Sequence, residues 1–150
     1  MTIWHGGVLP DLASLTAIGT RSMPGFLGIE FVAVGDDWIS ARMPVNDRTK
    51  QPYGRLHGGA SVVLAETLAS VAAAMTVDPA QFAAVGMEIN ANHLRPAGDG
   101  HVTATARPES IGRTTQVWSI RIEDEQGRPV CISRMTAAII PTLRGGVSAG

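Results

Sequence analysis

The sequence predicts an α+β domain in which one long, buried helix packs against an antiparallel sheet of five or six strands. Three observations carry this. The segment GGASVVLAETLASVAAAM, from Gly58 to Met75, is apolar on nearly every side, which marks a helix surrounded by protein. Beyond Asp78 and Pro79 the pattern changes to four runs rich in Val, Ile and Thr, the composition of strands. Short turns bearing Gly and Asp separate those runs, and consecutive strands joined that way form an antiparallel meander. At 150 residues the chain fits a single domain.

Taken in order, Asp11 is placed to cap a short helix over residues 11–18. Leu12, Leu15 and Ile18 form its apolar face, and Gly19 ends it. Two extended runs follow, GIEFVAV from Gly28 and DWISARM from Asp37. Only Gly35 and Asp36 separate them, which predicts a hairpin. From Met43 to Gly59, Pro, Gly, Asn and Asp are dense enough for an ordered loop. The 18 residues from Gly58 to Met75 make a helix about 27 Å long. Its many alanines let other backbone come close. The strand runs are AAVGMEINANHLRP, HVTATARPES, TTQVWSIRIED and PVCISRMTAAIIP. In the third, Val117, Ser119 and Arg121 alternate with Trp118, Ile120 and Ile122, the period of a half-buried strand. No repeat or linker divides residues 1–150, and the tail over 144–150 is expected to fray.

Composition excludes several functions. A net charge of -1 gives no counter-charge for a nucleic-acid backbone. A single Cys cannot form a disulfide framework or a Cys-cluster zinc site. His5, His57, His93 and His101 show no metal-ligand spacing, so no metal is expected. His5 and His101 are expected to be exposed, and Trp4 and Trp38 to serve packing. The N-terminus lacks a basic region followed by an apolar run. The apolar stretch from Val62 to Met75 is short against the roughly 20 residues a bilayer needs. A soluble, cytoplasmic protein is therefore expected. No GxSxG elbow, P-loop or dinucleotide fingerprint is present, and Ser61 has no evident partner base.

Glu66 is the residue that does not fit its helix. Its helical neighbours Val62, Val63, Ala69 and Ser70 include no cation. It is either a carboxylate on a wet edge of the helix or a desolvated catalytic base or nucleophile. Ser70, one turn on, can orient it or a water, though a mid-helix Ser commonly bonds its own backbone. Gly58 and Gly59 open the helix where unpaired N–H groups and the dipole's positive end meet, either a flexible turn or an oxyanion hole. Gln51, Asn90, Asn92 and His93 are polar groups that can converge nearby or serve the backbone.

These residues resemble the hotdog-fold acyl-CoA thioesterases, in the subgroup that includes the Arthrobacter-type 4-hydroxybenzoyl-CoA and the 1,4-dihydroxy-2-naphthoyl-CoA thioesterases. The segment MPVNDRTKQPYGRLHGGASVVLAETLASVAA carries the likeness most strongly. VGMEINANHLRP, GRTTQVWSI and CISRMTAAII extend it to roughly Gly25–Pro141. The resemblance implies a sheet wrapped around the helix, dimers joined edge to edge and usually paired into homotetramers, and active sites between two subunits. It implies hydrolysis of an acyl-CoA with no cofactor, CoA being part of the substrate. Glu66 matches the catalytic carboxylate and the Gly58 N–H the group that polarises the thioester carbonyl. Gln51 matches a glutamine near the thioester, His57 the histidine supporting this turn, and Ser70 the hydroxyl beyond the carboxylate. His93 matches a pocket histidine. Gly86, Leu94, Arg95 and the stretch Ser110, Ile111, Gly112, Arg113, Thr114 and Thr115 match substrate-binding positions, the CoA groove above all. The branch with Asp at the catalytic position is disfavoured by Glu66 together with Gln51. The expected acyl group is aromatic, with a broader medium-chain specificity as the alternative. A non-catalytic acyl-CoA-binding protein is one rival. A hydroxyacyl dehydratase is the other, but its His–acid motif is not found.

Overall fold

The computed structural model describes residues 1–142, so the tail expected to fray lies outside the described residues. After a single 3₁₀ turn at His5–Gly7 come helices α1 (Leu12–Ile18) and α2 (Met23–Phe26), then strands β1 (Glu30–Val34) and β2 (Ile39–Pro44). Helix α3 (Gly58–Met75) follows, and strands β3 (Phe82–His93), β4 (His101–Ile111), β5 (Thr115–Glu123) and β6 (Pro129–Pro141) complete the elements of the described residues. Asp11 caps α1 as its sequence position predicts, accepting from the Ala13 N–H at 3.2 Å. α2 was not anticipated. It is four residues long with a proline in its first turn, too short to show a period.

The sheet has six strands, all antiparallel, in the order β1-β2-β4-β5-β6-β3. This corrects the expected meander. β1 and β2 pair as consecutive neighbours, and of the last four strands only β4, β5 and β6 do. β3 lies at the far edge beside β6, and β4 returns to pair with β2. The turn signal at Gly98-Asp99-Gly100 is real, but residues 94–100 form a crossing loop rather than a hairpin. They cover three strand spacings, about 14 Å, within the reach of seven extended residues. The helix imposes this arrangement, because α3 carries the chain from β2 beneath the sheet to its opposite edge.

α3 buries Ala60, Ser61, Leu64, Ala65, Leu68, Ala69, Ala72 and Ala73. Facing them are Ile39, Ala41 and Met43 of β2, Val102, Ala104 and Ala106 of β4, Trp118, Ile120 and Ile122 of β5, and Met135 of β6. Small side chains on both surfaces bring helix and sheet backbone close, at interior packing density. By length and composition α3 would pass as a membrane span. Its packing beneath the sheet, not its length, identifies it as a core helix.

Gln116 lies fully buried on the inner face of β5, unanticipated from sequence. Its Nε2 donates to Thr76 Oγ1 at 2.7 Å, and its Oε1 accepts from Trp118 Nε1 at 2.9 Å. Thr76 Oγ1 in turn donates to the Ala73 carbonyl. One amide thus ties the C-terminal end of α3 to the sheet. Trp4 stacks on Trp118 with ring centroids 6.4 Å apart, the packing role expected of it. Trp38 lies beneath the Arg107 guanidinium. His5 is exposed as expected, whereas His101 is half-exposed and faces Glu125.

Gln116→Leu keeps the bulk but leaves the Trp118 N–H unpaired in the core. Denaturant unfolding is expected to show a loss of about 1–3 kcal/mol with an unchanged slope. An unchanged midpoint would show that the buried amide contributes nothing.

Candidate active site

Glu66 projects from the middle of α3 toward the edge strand β3. The side chain is half-buried, and Oε2 is the one buried side-chain polar atom without a hydrogen-bond partner among the described residues. Desolvation pushes its pKa above the usual carboxylate value, because burial penalises the charged form. The carboxylate thus has one oxygen shielded from solvent while the residue as a whole stays half-buried. Oε1 lies against Gly86 of β3, only 2.6 Å from where a Cβ would stand. Ser70, one turn on, is half-buried.

The other candidate group forms at the start of the same helix. His57 is the N-cap, and its Nδ1 accepts from the Gly59 N–H at 2.8 Å. That bond needs Nδ1 unprotonated, so the neutral ring carries its proton on Nε2. The Ala60 and Ser61 N–H groups both reach the His57 carbonyl. The Gly58 N–H has no partner among the described residues, which leaves a donor at the positive end of the helix dipole. The His93 ring lies over Gly58, with Nε2 2.8 Å from the position of a missing Cβ. No side chain fits there without displacing the imidazole. The Oε1 of Gln51 accepts from the Tyr53 N–H, which turns its NH₂ outward.

Gln51, Gly58, Ser61, His93, Leu94 and Arg95 line one cavity of about 380 Å³ with Arg55. Arg55 was not singled out from sequence, although it stands two residues before His57. Its guanidinium lies across Gly98, Nη1 being 3.0 Å from a Cβ position there. Every charged residue of the cavity wall is an arginine, and neither Arg55 nor Arg95 forms an ion pair among the described residues.

Not all the candidates converge. Asn90 and Asn92 turn to the outer face of the sheet, where they line a separate groove of about 980 Å³ with Arg107, Arg121 and Arg134. Ser110, Ile111, Gly112, Arg113, Thr114 and Thr115 lie exposed at the β4–β5 turn, away from the cavity that holds Gly58. The strand register puts Thr115 opposite Ala138, and Ala138 opposite Val85. That turn therefore shares an end of the sheet with Gly86 and Glu66, while His93 and Arg95 belong to the other end. Glu66 and Gly58 themselves are eight positions apart on one helix, about 12 Å along its axis. A single thioester cannot meet both groups of one chain.

Comparison with known proteins gives the constellation a context. Residues 53–131 match the family model described as the thioesterase superfamily. The chain is 52% identical over 138 residues to the 1,4-dihydroxy-2-naphthoyl-CoA hydrolase of Escherichia coli, covering 92% of this chain and 99% of that protein. It is 44% identical to a proofreading thioesterase of Cronobacter turicensis, covering 92% and 98%. Among solved structures, a mutant thioesterase from Pseudomonas aeruginosa superposes with a TM-score of 0.91 at 49% identity, covering 94% of this chain and all of that one. A thioesterase from Haemophilus influenzae gives a TM-score of 0.90 at 45% identity, covering 95% and 98%. With its long helix under a six-stranded antiparallel sheet and these relatives over nearly its whole length, the chain belongs to the thioesterase superfamily and is a hotdog-fold thioester hydrolase of the subgroup that the sequence resembles.

Proposed function

We propose that the protein hydrolyses an aromatic acyl-CoA of the 1,4-dihydroxy-2-naphthoyl or 4-hydroxybenzoyl type, with Glu66 of one subunit acting on a thioester held at Gly58 of its partner. The observation that carries this is the position of Glu66, a half-buried carboxylate with one shielded, unpartnered oxygen, set against an edge strand. Such a group is costly to the fold, and its raised pKa makes it a better proton acceptor than an ordinary carboxylate. The named activity of the Escherichia coli relative, at 52% identity, supports the acyl group.

The edge strand supplies the geometry. β3 is 12 residues long and leaves Phe82, Val85 and Met87 exposed, so it invites pairing with a second copy. Antiparallel self-pairing about its middle, near Ile89 and Asn90, sets Gly86 of one copy opposite His93 of the other. Glu66 stands against Gly86, and Gly58 against His93. The pairing therefore brings the carboxylate of one subunit to the N–H of the other, and the β4–β5 turn of the first toward the arginines of the second. We propose a homodimer on this edge, two of which assemble into a homotetramer, acting in the cytoplasm.

In the reaction, the thioester oxygen takes the Gly58 N–H, with the Gln51 amide beside it. His57 holds this turn by capping Gly59, and the His93 ring flanks the acyl carbon. Glu66 removes a proton from water or attacks the carbonyl itself, and Ser70 orients the carboxylate or the water. Negative charge grows on the oxygen against the helix dipole. When water attacks, the C–S bond breaks and the CoA thiolate takes the proton that Glu66 removed; when Glu66 attacks, the thiolate leaves from a Glu66–acyl anhydride, which water then cleaves to free acid and carboxylate, one of its protons passing to the thiolate. Arg55 and Arg95 hold phosphate oxygens of CoA. No cofactor takes part.

Glu66→Gln is expected to fold, to bind acyl-CoA and to lose about 100-fold or more in kcat, read by thiol release. Turnover near that of the wild type rejects the assignment. The same variant has a stability signature. A folded-state pKa above the unfolded value means that the wild type loses stability as pH climbs from the ordinary Glu range through the raised value. Glu66→Gln carries no such charge. Its thermal midpoint is expected to exceed that of the wild type by a margin that grows through that window and then levels off. Arg55→Ala is expected to raise KM for acyl-CoA by about tenfold and to leave KM unchanged for the matching acyl-pantetheine, which lacks the nucleotide phosphates. Equal effects on both substrates would remove Arg55 from phosphate binding.

A further inference from the structure

Gly86 resembles a residue of the CoA groove in the sequence, yet its surroundings give it another task. Its φ is not among the positive values of the chain, so backbone conformation does not require glycine here. Space does. Glu66 Oε1 occupies the volume that a Cβ would fill, 2.6 Å from its position, and the carboxyl carbon is at 3.7 Å. The β3–β6 ladder is also irregular at this point. Gly86 opposes Ala137 and Glu88 opposes Thr136, with Met87 as an extra residue between them. Bulges of this kind bend a strand and re-aim its side chains. Met87 is 67% exposed. One face of the edge strand is thus cleared where Glu66 reaches it.

We infer that Gly86, with the bulge beside it, is a positioning residue for the reaction: a seat without a side chain that fixes Glu66 at the outer edge of β3, where a partner subunit's thioester would arrive. The inference rests on the catalytic role proposed for Glu66 and adds what holds that group in place. A methyl group at position 86 pushes the carboxylate along or away from the strand. Displacement of a reacting group by about 1 Å costs on the order of 100-fold in rate, while the residues that bind CoA are untouched.

The test is a size exchange. Gly86→Ala is expected to lower kcat by about 100-fold with KM for acyl-CoA changed less than about threefold. Glu66→Asp withdraws the carboxylate by one methylene and is expected to be impaired alone. In the Glu66→Asp background the added methyl group has room, so the double variant is expected to turn over at least as fast as Glu66→Asp, instead of losing a further factor of 100. Gly86→Ala with wild-type kcat, or the same fractional loss in both backgrounds, overturns the seat. Failure of the catalytic reading is distinguishable, because it appears in Glu66→Gln as retained turnover with glycine still at position 86.

Discussion

The close approach of α3 to the sheet is the constraint on which the rest depends. Ala65, Ala69, Ala72 and Ala73 are all fully buried, and larger groups at these positions would lift the helix off the strands. With the helix held low, a side chain as short as that of Glu66 reaches the edge strand and has one oxygen shielded from water. The same seating brings Gly58 under the His93 ring. One packing decision, made with alanines, thus sets the surroundings of both Glu66 and Gly58.

The two ends have opposite electrostatic character. At the helix start an unpaired N–H, an imidazole and two guanidiniums face a common cavity. Eight residues on, a half-buried carboxylate has one shielded oxygen unpartnered. Within one chain these groups are too far apart to cooperate, so neither neutralises the other. The shielded carboxylate is kept in a state that costs stability, since a desolvated acid prefers water. That cost is offset by ordinary core burial elsewhere, including the Gln116 link that fastens the far end of α3.

Much of this was legible in the sequence because the signals are local. The all-round apolar helix, the Asp11 cap and the alternation around Trp118 depend on neighbours close in the chain. Glu66 stood out by the absence of cations one turn away, and Gly58 by its position at a helix start. Strand order was not legible. The turn residues 98–100 look the same in a hairpin and in a loop that crosses three strands. The burial of Gln116 was hidden because its partners Thr76 and Trp118 meet only in three dimensions. Arg55 was missed for a related reason: its significance comes from Arg95 and Gly58 sharing its cavity, a grouping that sequence distance conceals. Gly86 read as one more groove residue until Glu66 was seen filling the space of its absent side chain.

The sharing of one site by two copies is tested most directly by mixing inactive subunits. Glu66→Gln and Gly58→Val are each expected to be inactive as homodimers, since the second collides with the His93 ring. Unfolded and refolded together in equal amounts, they form mixed dimers in which one of the two sites is wholly wild type. Thiol release should return to about one quarter of the wild-type rate under random pairing. A mixture no more active than its components, despite mixed dimers seen by mass spectrometry, would place Glu66 and Gly58 on the same subunit's site and contradict the shared arrangement.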